Sequence, residues 1–349
     1  MEAHPSRLSG TAAPPHAAMG RLWIVIVNFR TAALVEDCLR SLRSEALALD
    51  CRVVVVDNDS GDGSYARLAA CVHTQGWQDW VEVLAAPRNG GFAYGNNQGI
   101  RHALARDPDL GQVLLLNPDT VVEARALSAL LDWMEAHPRT GIVGSRLLNA
   151  EGGVEVSAHR HPSALGELEG SARLGLVSRA LAAFQVSPPV SATPQRCDWV
   201  SGASLMVRRA ALDQVGPLDE GYFLYFEEVD FCLRVQQAGW ECWCIPESRV
   251  VHLEGAATGI RKTAVRRARY WYDSRRRFFV KHHGVTGLLL ADLLWALGRT
   301  SLNLRRLLHL GGGDPAADPL HFMYDLLWPD LRALLDGSWR TARVAEKTW

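Results

Sequence analysis

Two continuous apolar runs, LWIVIVN (Leu22–Asn28) and CRVVVVD (Cys51–Asp57), constrain this chain more than any other feature of it. A strand without alternating polar positions has no face to give to water. Both runs therefore belong inside a parallel sheet covered on each side. Between them, TAALVEDCLRSLRSEA has helical spacing and opens on Thr31, a helix-starting residue type. WVEVLAAP predicts a third strand and GQVLLLN (Gly111–Asn117) a fourth, followed by helices over Tyr94–Ala105 and Glu123–Ala136 respectively. Repeated β-α units of this kind predict an α/β fold, an open, mostly parallel sheet with helices on both faces. Such sheets bind ligands at the carboxyl ends of their strands.

Those ends carry the polar residues. Strand one finishes VNFR and strand two VDNDSGDGS; the third is followed by PRNGGFAYGNNQG, and the fourth finishes NPDT. Asn28, Asp57, Asn89 and Asp119 thus fall on four adjacent strand ends. A dinucleotide fold would place GxGxxG after strand one, where this chain has NFRTAAL, which disfavours a dehydrogenase.

Composition sets the limits. With 349 residues, 48% hydrophobic and 21% charged, the chain reads as a soluble globular protein of about two domains. Its formal net charge of −1 gives no argument for nucleic acid. Seven cysteines without a CxxC pair predict reduced core thiols in a cytosolic protein. Residues 1–20 are Ala/Pro-rich without an apolar h-region and read as a disordered leader rather than a secretory signal. Residues 21–255 read as the sheet domain and 256–349 as a helical, basic and amphipathic extension. From Ala150 to Pro194 no clear period shows. Within the extension, IRKTAVRRARYWYDSRRRFFVKHHG is densely basic and reads as a solvated helix face, a phosphate site or a membrane-surface patch. The following GVTGLLLADLLWALGRTSLNLRRLLHL has amphipathic spacing, packing on the main domain or lying on a bilayer.

The stretch YFLYFEEVDFCLRV sets Glu227, Glu228 and Asp230 directly behind a run of aromatics. Acids favour a helix's first turn because of the helix dipole. Three of them beside apolar surface also suit a site where a proton is removed, since apolar surroundings raise a carboxyl's pKa.

Six segments occur in register with one known family: VNFR, VVVVDNDSGDGS, RNGGFAYGNNQG, LLLNPDT, the WVSGASLMVRRAALDQVGPLDEGYFLYFEEVDFCLRVQQAGW block, and RVVHLEG. Over about Leu22 to Gly255 the chain resembles family 2 glycosyltransferases, most of all the rhamnosyltransferase-like branch of bacterial surface polysaccharide synthesis. The resemblance implies a GT-A fold, a nucleotide-diphosphate sugar donor, a divalent metal (Mn²⁺ or Mg²⁺) and inversion at the anomeric carbon. It places the nucleotide at Asn28, Asp57, Asn89, Asn97 and Asn117. Asp57 would accept the imide N–H of uracil or thymine, which favours UDP- or dTDP-sugars, although an Asx turn is the plainer reading of the same residue. Asp119 and His252 become the metal ligands, with Asn117 replacing the first acid of the usual Asp-x-Asp. An imidazole ligand tilts the choice towards Mn²⁺.

In the family's Glu-Asp-x-Asp pattern the second position supplies the general base, here Glu228, with Glu227 and Asp230 as alternatives. Trp199 and Gly202 would floor the donor and acceptor sugars. The implied reaction moves rhamnose or a similar hexose to a hydroxyl of a glycan, lipid-linked and growing, in the cytoplasm at the inner membrane face. A sugar nucleotidyltransferase would need a Gly-rich loop after strand one, which is missing. A non-catalytic nucleotide-sugar or glycan binding subunit is the remaining alternative, raised by the departures at Asn117 and Glu228.

Overall fold

The computed structural model describes residues 20–253, 266–310 and 318–339. The expected leader up to residue 19, the Gly255 end of the RVVHLEG motif, the first part of the basic stretch and residues 311–317 lie outside the described residues. The chain runs β1 (Leu22–Asn28), α1 (Ala32–Ala48), β2 (Arg52–Asp57), α2 (Ser64–Thr74), β3 (Val81–Ala85), α3 (Gly91–Arg106), β4 (Gln112–Leu116), β5 (Thr120–Val122), α4 (Ala126–Ala136) and β6 (Thr140–Leu148). It continues through β7 (Ala158–His159), α5 (Ala164–Ala172), α6 (Gly175–Ala180), β8 (Gln195–Arg196), β9 (Trp199–Val200), β10 (Ser204–Arg208), α7 (Arg209–Val215), α8 (Glu227–Gln237), β11 (Glu241–His252), α9 (Arg269–Leu307) and α10 (Phe322–Asp336).

The main sheet has the order β3-β2-β1-β4-β10-β6-β11-β5, with β8 on β11. The first four strands are parallel, as their apolar runs require. Beyond β4 the sheet is mixed: β10 runs antiparallel to both β4 and β6, while β6 and β11 are parallel. Strand periodicity divides β1 between two cores. Ile24 and Ile26 pack with Val35 and Leu39 of α1, Leu68 of α2 and Leu130 of α4. Trp23, Val25 and Val27 pack with Ile100 of α3, Leu212 of α7 and Phe231 of α8.

The aperiodic region contains two short helices. The buried residues of α5 are Gly166, Ser171 and Ala172, so it has no apolar stripe for a sequence reading to find. Small residues let α9 come close instead: a Cβ on Gly298 would stand 2.1 Å from Ser171 Oγ.

Arg266 and Arg269 of the basic stretch are exposed, but from Arg275 to Lys281 its cations are turned inward onto acids. Arg275 meets Glu167 at 2.9 Å and Asp292 at 2.8 Å, Arg276 meets Asp330 at 2.5 Å, and Arg277 meets Asp219 at 2.8 Å. Lys281 bridges Asp219 and Asp230 at 2.8 and 2.5 Å. These cations staple the front of α9 to the sheet domain, to α5 and to α10. At Gly284 (φ 70°) the long helix bends, which separates this charged half from an apolar one. All seven cysteines are free, and only Cys71 is not buried.

Candidate active site

Three strand ends assemble the first part of the site. Asn28 closes β1 in register with Asp57 on β2. Asn28 Nδ2 donates to Asp57 Oδ1 at 2.6 Å, and Ser60 Oγ donates to the same oxygen at 2.5 Å. The Asn28 side-chain oxygen Oδ1 in turn accepts from Thr31 N and Thr31 Oγ1. Asn28 is thus fully occupied in orienting Asp57 and its turn. Asp57 Oδ2 takes one long contact, 3.3 Å from Ser60 N, and an ionised carboxylate has further acceptor capacity. The Asx-turn reading and a ligand reading therefore both apply to this one side chain.

Asn89 Oδ1 accepts from Asn58 Nδ2 at 3.0 Å and from Gly91 N at 3.1 Å, tying the loop after β3 to the end of β2. Asn97 corrects the sequence reading. Its Nδ2 donates to Leu218 O and Glu220 Oε1, its Oδ1 accepts from Leu218 N, and it is wholly buried. It anchors the loop before α8 and offers nothing to a nucleotide. The glycine pair before Phe92 is likewise used within the protein. A Cβ on Gly91 would lie 1.9 Å from Phe223 O, and Phe92 N donates to that carbonyl at 2.8 Å. The backbone approached so closely belongs to the YFLYF segment, and the first N–H groups of α3 are already used.

The fourth strand end holds the cation candidates. His252 closes β11 in register with Thr120 on β5, which brings it beside Asp119. Its Nε2 lies 3.3 Å from Asp119 Oδ1 and 3.3 Å from Asn117 Nδ2. Asp119 Oδ1 is buried and accepts no hydrogen bond. An unsatisfied buried carboxylate oxygen is costly unless something binds it. A carboxylate oxygen and an imidazole nitrogen facing each other make a donor pair that fits Mn²⁺. No cluster of three or more His, Cys, Asp or Glu suited to a metal occurs among the described residues.

The carboxylates of YFLYFEEVD divide by environment. Tyr225 and Phe226 both have φ of 69°, in the left-handed region, and α8 begins immediately after them. Such residues cost on the order of 1–3 kcal/mol each and persist where surrounding structure enforces them. Here Phe226 is held between the rings of Trp271 and Phe278 at 5.9 and 5.8 Å.

Asp230 faces inward. Its carboxylate meets Arg234 at 2.8 Å, His282 at 2.7 Å and Lys281 at 2.5 Å. Burial alone would raise its pKa, but His282, Arg234 and Lys281 overcome that and hold it well below the usual range. A carboxylate so firmly ionised and enclosed is an anchor, which removes Asp230 as an alternative base.

Glu228 is half-buried, and burial pushes its carboxyl up to about 7, against the opposing pull of its own and Val229's backbone N–H groups. Glu227 is raised as well, first by burial and then by the charge of Glu228. Each leaves its Oε2 buried without a hydrogen-bond partner. The pair titrates jointly, and its more accessible member is Glu228.

Gly202 sits against Glu228: a Cβ there would lie 3.4 Å from the Phe92 ring and 3.7 Å from Glu228 Cβ. The next residue, Ala203, accepts from Asn117 N, which links the Glu228 wall to the Asp119–His252 pair. Trp199 is less available than its sequence suggested. His159 stacks on it at 4.0 Å, and its Nε1 donates to Arg160 O at 2.8 Å. Phe92, missed in the sequence reading, lines the wall instead, and its only signal was an aromatic inside the glycine-rich motif.

Comparison with known proteins gives the family and the fold. Glycosyl transferase family 2 matches residues 23–190, and Glycosyl transferase family group 2 matches 112–328. N-acetylglucosaminyl-diphospho-decaprenol L-rhamnosyltransferase of Mycobacterium tuberculosis is 30% identical over 299 residues, covering 81% of this chain and 90% of its own. The dTDP-rhamnosyl transferase RfbF of Shigella flexneri is 23% identical over 270 residues, covering 76% and 82%. The solved mannosyltransferase PcManGT of Pyrobaculum calidifontis, in complex with GDP-Man and Mn²⁺, shares the fold with a TM-score of 0.51. That match has 17% identity and covers 95% of this chain and 85% of the other.

Proposed function

This chain belongs to glycosyl transferase family 2 and is a glycosyltransferase with a GT-A sheet, and from that premise we propose an inverting hexosyl transfer with Glu228 as the general base. The donor is a dTDP- or UDP-sugar, rhamnose or a close relative. The acceptor is a hydroxyl of a diphospho-polyprenol-linked glycan at the cytoplasmic face of the membrane. Asp57, held by Asn28 and Ser60, accepts from the ring N–H of the pyrimidine. Glu228 takes the proton of the acceptor hydroxyl as that oxygen bonds to the anomeric carbon. The bond from this carbon to the diphosphate oxygen breaks on the opposite side, and its electron pair leaves with the nucleoside diphosphate. Asp119 and His252 would hold a divalent cation, whose charge stabilises that leaving group when bound. Gly202 and Phe92 shape the space in front of the base.

One observation carries the reading: an accessible carboxyl poised near neutral pH, on a strained helix start, contiguous through Gly202 and Ala203 with the Asp119–His252 pair. The test is Glu228→Gln, assayed with dTDP-rhamnose and N-acetylglucosaminyl-diphospho-polyprenol. Lost turnover with retained donor binding is expected. A wild-type protein that binds donor but never turns over would identify a binding subunit instead.

A further inference from the structure

The second half of α9 and the whole of α10 bury apolar residues, among them Leu288, Trp295, Leu302 and Leu326, yet they also invert part of the pattern of an ordinary surface helix, although Arg332 and Asp336 of α10 remain exposed. A helix on a soluble protein buries its apolar stripe and exposes its charges. Here Asp292 and Arg299 of α9 and Asp325 and Asp330 of α10 are buried. The outer face of α9 carries Leu289, Leu293, Leu297 and Leu304, each about half exposed. That of α10 carries Tyr324, Trp328, Leu331 and Leu335, the last 79% exposed. The two helices pack on each other through Trp295 and Phe322, whose rings are 5.4 Å apart.

From this inversion we infer that the α9–α10 face is a membrane-docking surface that seats in the headgroup and upper acyl region of an anionic bilayer. Leucines with flanking Trp and Tyr are the composition of helices that lie in that interface. The edge charge also complements anionic headgroups. Between Val285 and Leu310 the only acid is Asp292, which is buried, whereas the helix ends in Arg306 and an exposed His309. By length and composition α9 is the one helix among the described residues that could cross a membrane. Its inner face is committed elsewhere, through Arg275 to Glu167, Gly298 against Ser171, and Arg305 to the Ala172 carbonyl. Only the outer face remains for lipid, so the helix lies on the bilayer and does not span it.

A bilayer is favoured over a second copy of the chain because the face is continuous with the active site. Phe226, next to the catalytic carboxylates, touches Trp271 at 5.9 Å, and Trp271 touches Phe322 at the start of α10 at 5.7 Å. The inference thus deepens the proposed reading of a lipid-linked acceptor and rests on it for its purpose. Its evidence is the surface alone.

The test is flotation of the full chain with phosphatidylglycerol/phosphatidylethanolamine vesicles, beside Leu293→Glu/Leu297→Glu and Leu331→Glu/Leu335→Glu. These are exposed positions whose substitution leaves the core intact. Wild type should float with the vesicles, less so with pure phosphatidylcholine, and each double variant should lose binding by about tenfold or more. Turnover on a water-soluble short-chain acceptor should stay unchanged while turnover on a vesicle-borne acceptor falls. Wild type left unbound, variants that float as well as wild type, or equal binding to phosphatidylcholine would overturn the proposal. So would light scattering that shows a dimer dissolved by the same variants. Flotation without turnover on any acceptor would instead sink the transferase reading and leave the docking surface standing.

Discussion

Glu228 works only if its environment does two opposed things, raising its pKa towards the working pH and leaving it within reach of a hydroxyl. Burial does the first, and the lack of a side chain at Gly202, within contact range of Glu228, serves the second. Glu228→Gln should lower kcat by about 10²–10⁴ with little change in donor affinity, measured by steady-state kinetics beside calorimetric donor titration. The base must be ionised, so kcat/KM should rise with pH up to about 7 and then level off. A flat profile between pH 5 and 8 would assign the proton to another group. Gly202→Ala should leave the unfolding midpoint nearly unchanged, since its Cβ meets Phe92 and Glu228 at contact distances of 3.4 and 3.7 Å, and should raise the acceptor KM by narrowing the space in front of the base. For the cation pair, His252→Ala should raise the Mn²⁺ concentration needed for binding, read by manganese resonance with nucleoside diphosphate present. The increase should at least match the roughly 10–100-fold that even outer-shell changes produce. Asp57 could be picked out from sequence as the acid that ends an apolar strand, whereas Glu228, flanked by Glu227 and Asp230, could be picked out only through the family's Glu-Asp-x-Asp pattern. Asn97 misled the reading because its partners, Leu218 and Glu220, are remote in sequence and nothing local announces them.

At the scale of elements, β1 and β2 were legible because continuous burial on both faces leaves no polar position in a strand. The α5 helix was not, since its burial uses glycine, serine and alanine against α9. The helix α8 shows why neighbouring acids can have unlike fates. Its first turn points Glu228 outward, while Asp230, two residues on, faces α9 and receives Lys281 and His282. Asp230→Asn would leave Arg234, Lys281 and His282 gathered without their buried acid, and breaking such a cluster costs about 3–5 kcal/mol. Denaturant unfolding should show that loss. Turnover per folded molecule should fall far less than in Glu228→Gln, which separates anchor from base. The folded carboxylate is held below its ordinary 3.8, so its contribution is present above that pH and disappears as the solution is acidified. The Asp230→Asn penalty should therefore shrink on going from pH 7 to pH 3.

Across the whole molecule, the C-terminal helices are joined to the sheet domain by an apolar cluster, in which Phe278, Phe279 and Leu288 of α9 meet Tyr222 and Val229, and beside it by buried charge, which is why a basic stretch in the sequence read as a surface patch. Sequence shows the arginines; only the fold shows Glu167, Asp219, Asp292 and Asp330 arriving from four places to meet them. The balance at Arg275 is uneven. Asp292 is pushed up to about 7, first by burial, with Asp330 and Glu167 adding to the rise and Arg275 opposing it. Asp330 is raised as well, again first by burial. A carboxyl whose folded pKa exceeds its unfolded value gives its full stability below the unfolded pKa and loses it as pH climbs through the folded one. For Asp292 that window runs from an ordinary 3.8 to about 7. Wild type should therefore lose stability, on the order of 1–3 kcal/mol from this group, between pH 4 and pH 8. Asp292→Asn keeps an oxygen for the Arg275 guanidinium, which now donates to it at 2.8 Å, while removing the charge that Asp330 opposes. Its unfolding midpoint should fall less than that of wild type over the same pH range, so the two proteins differ most at pH 8. Parallel curves for the two would mean that Asp292 is ionised throughout and that Arg275 alone balances the acids around it.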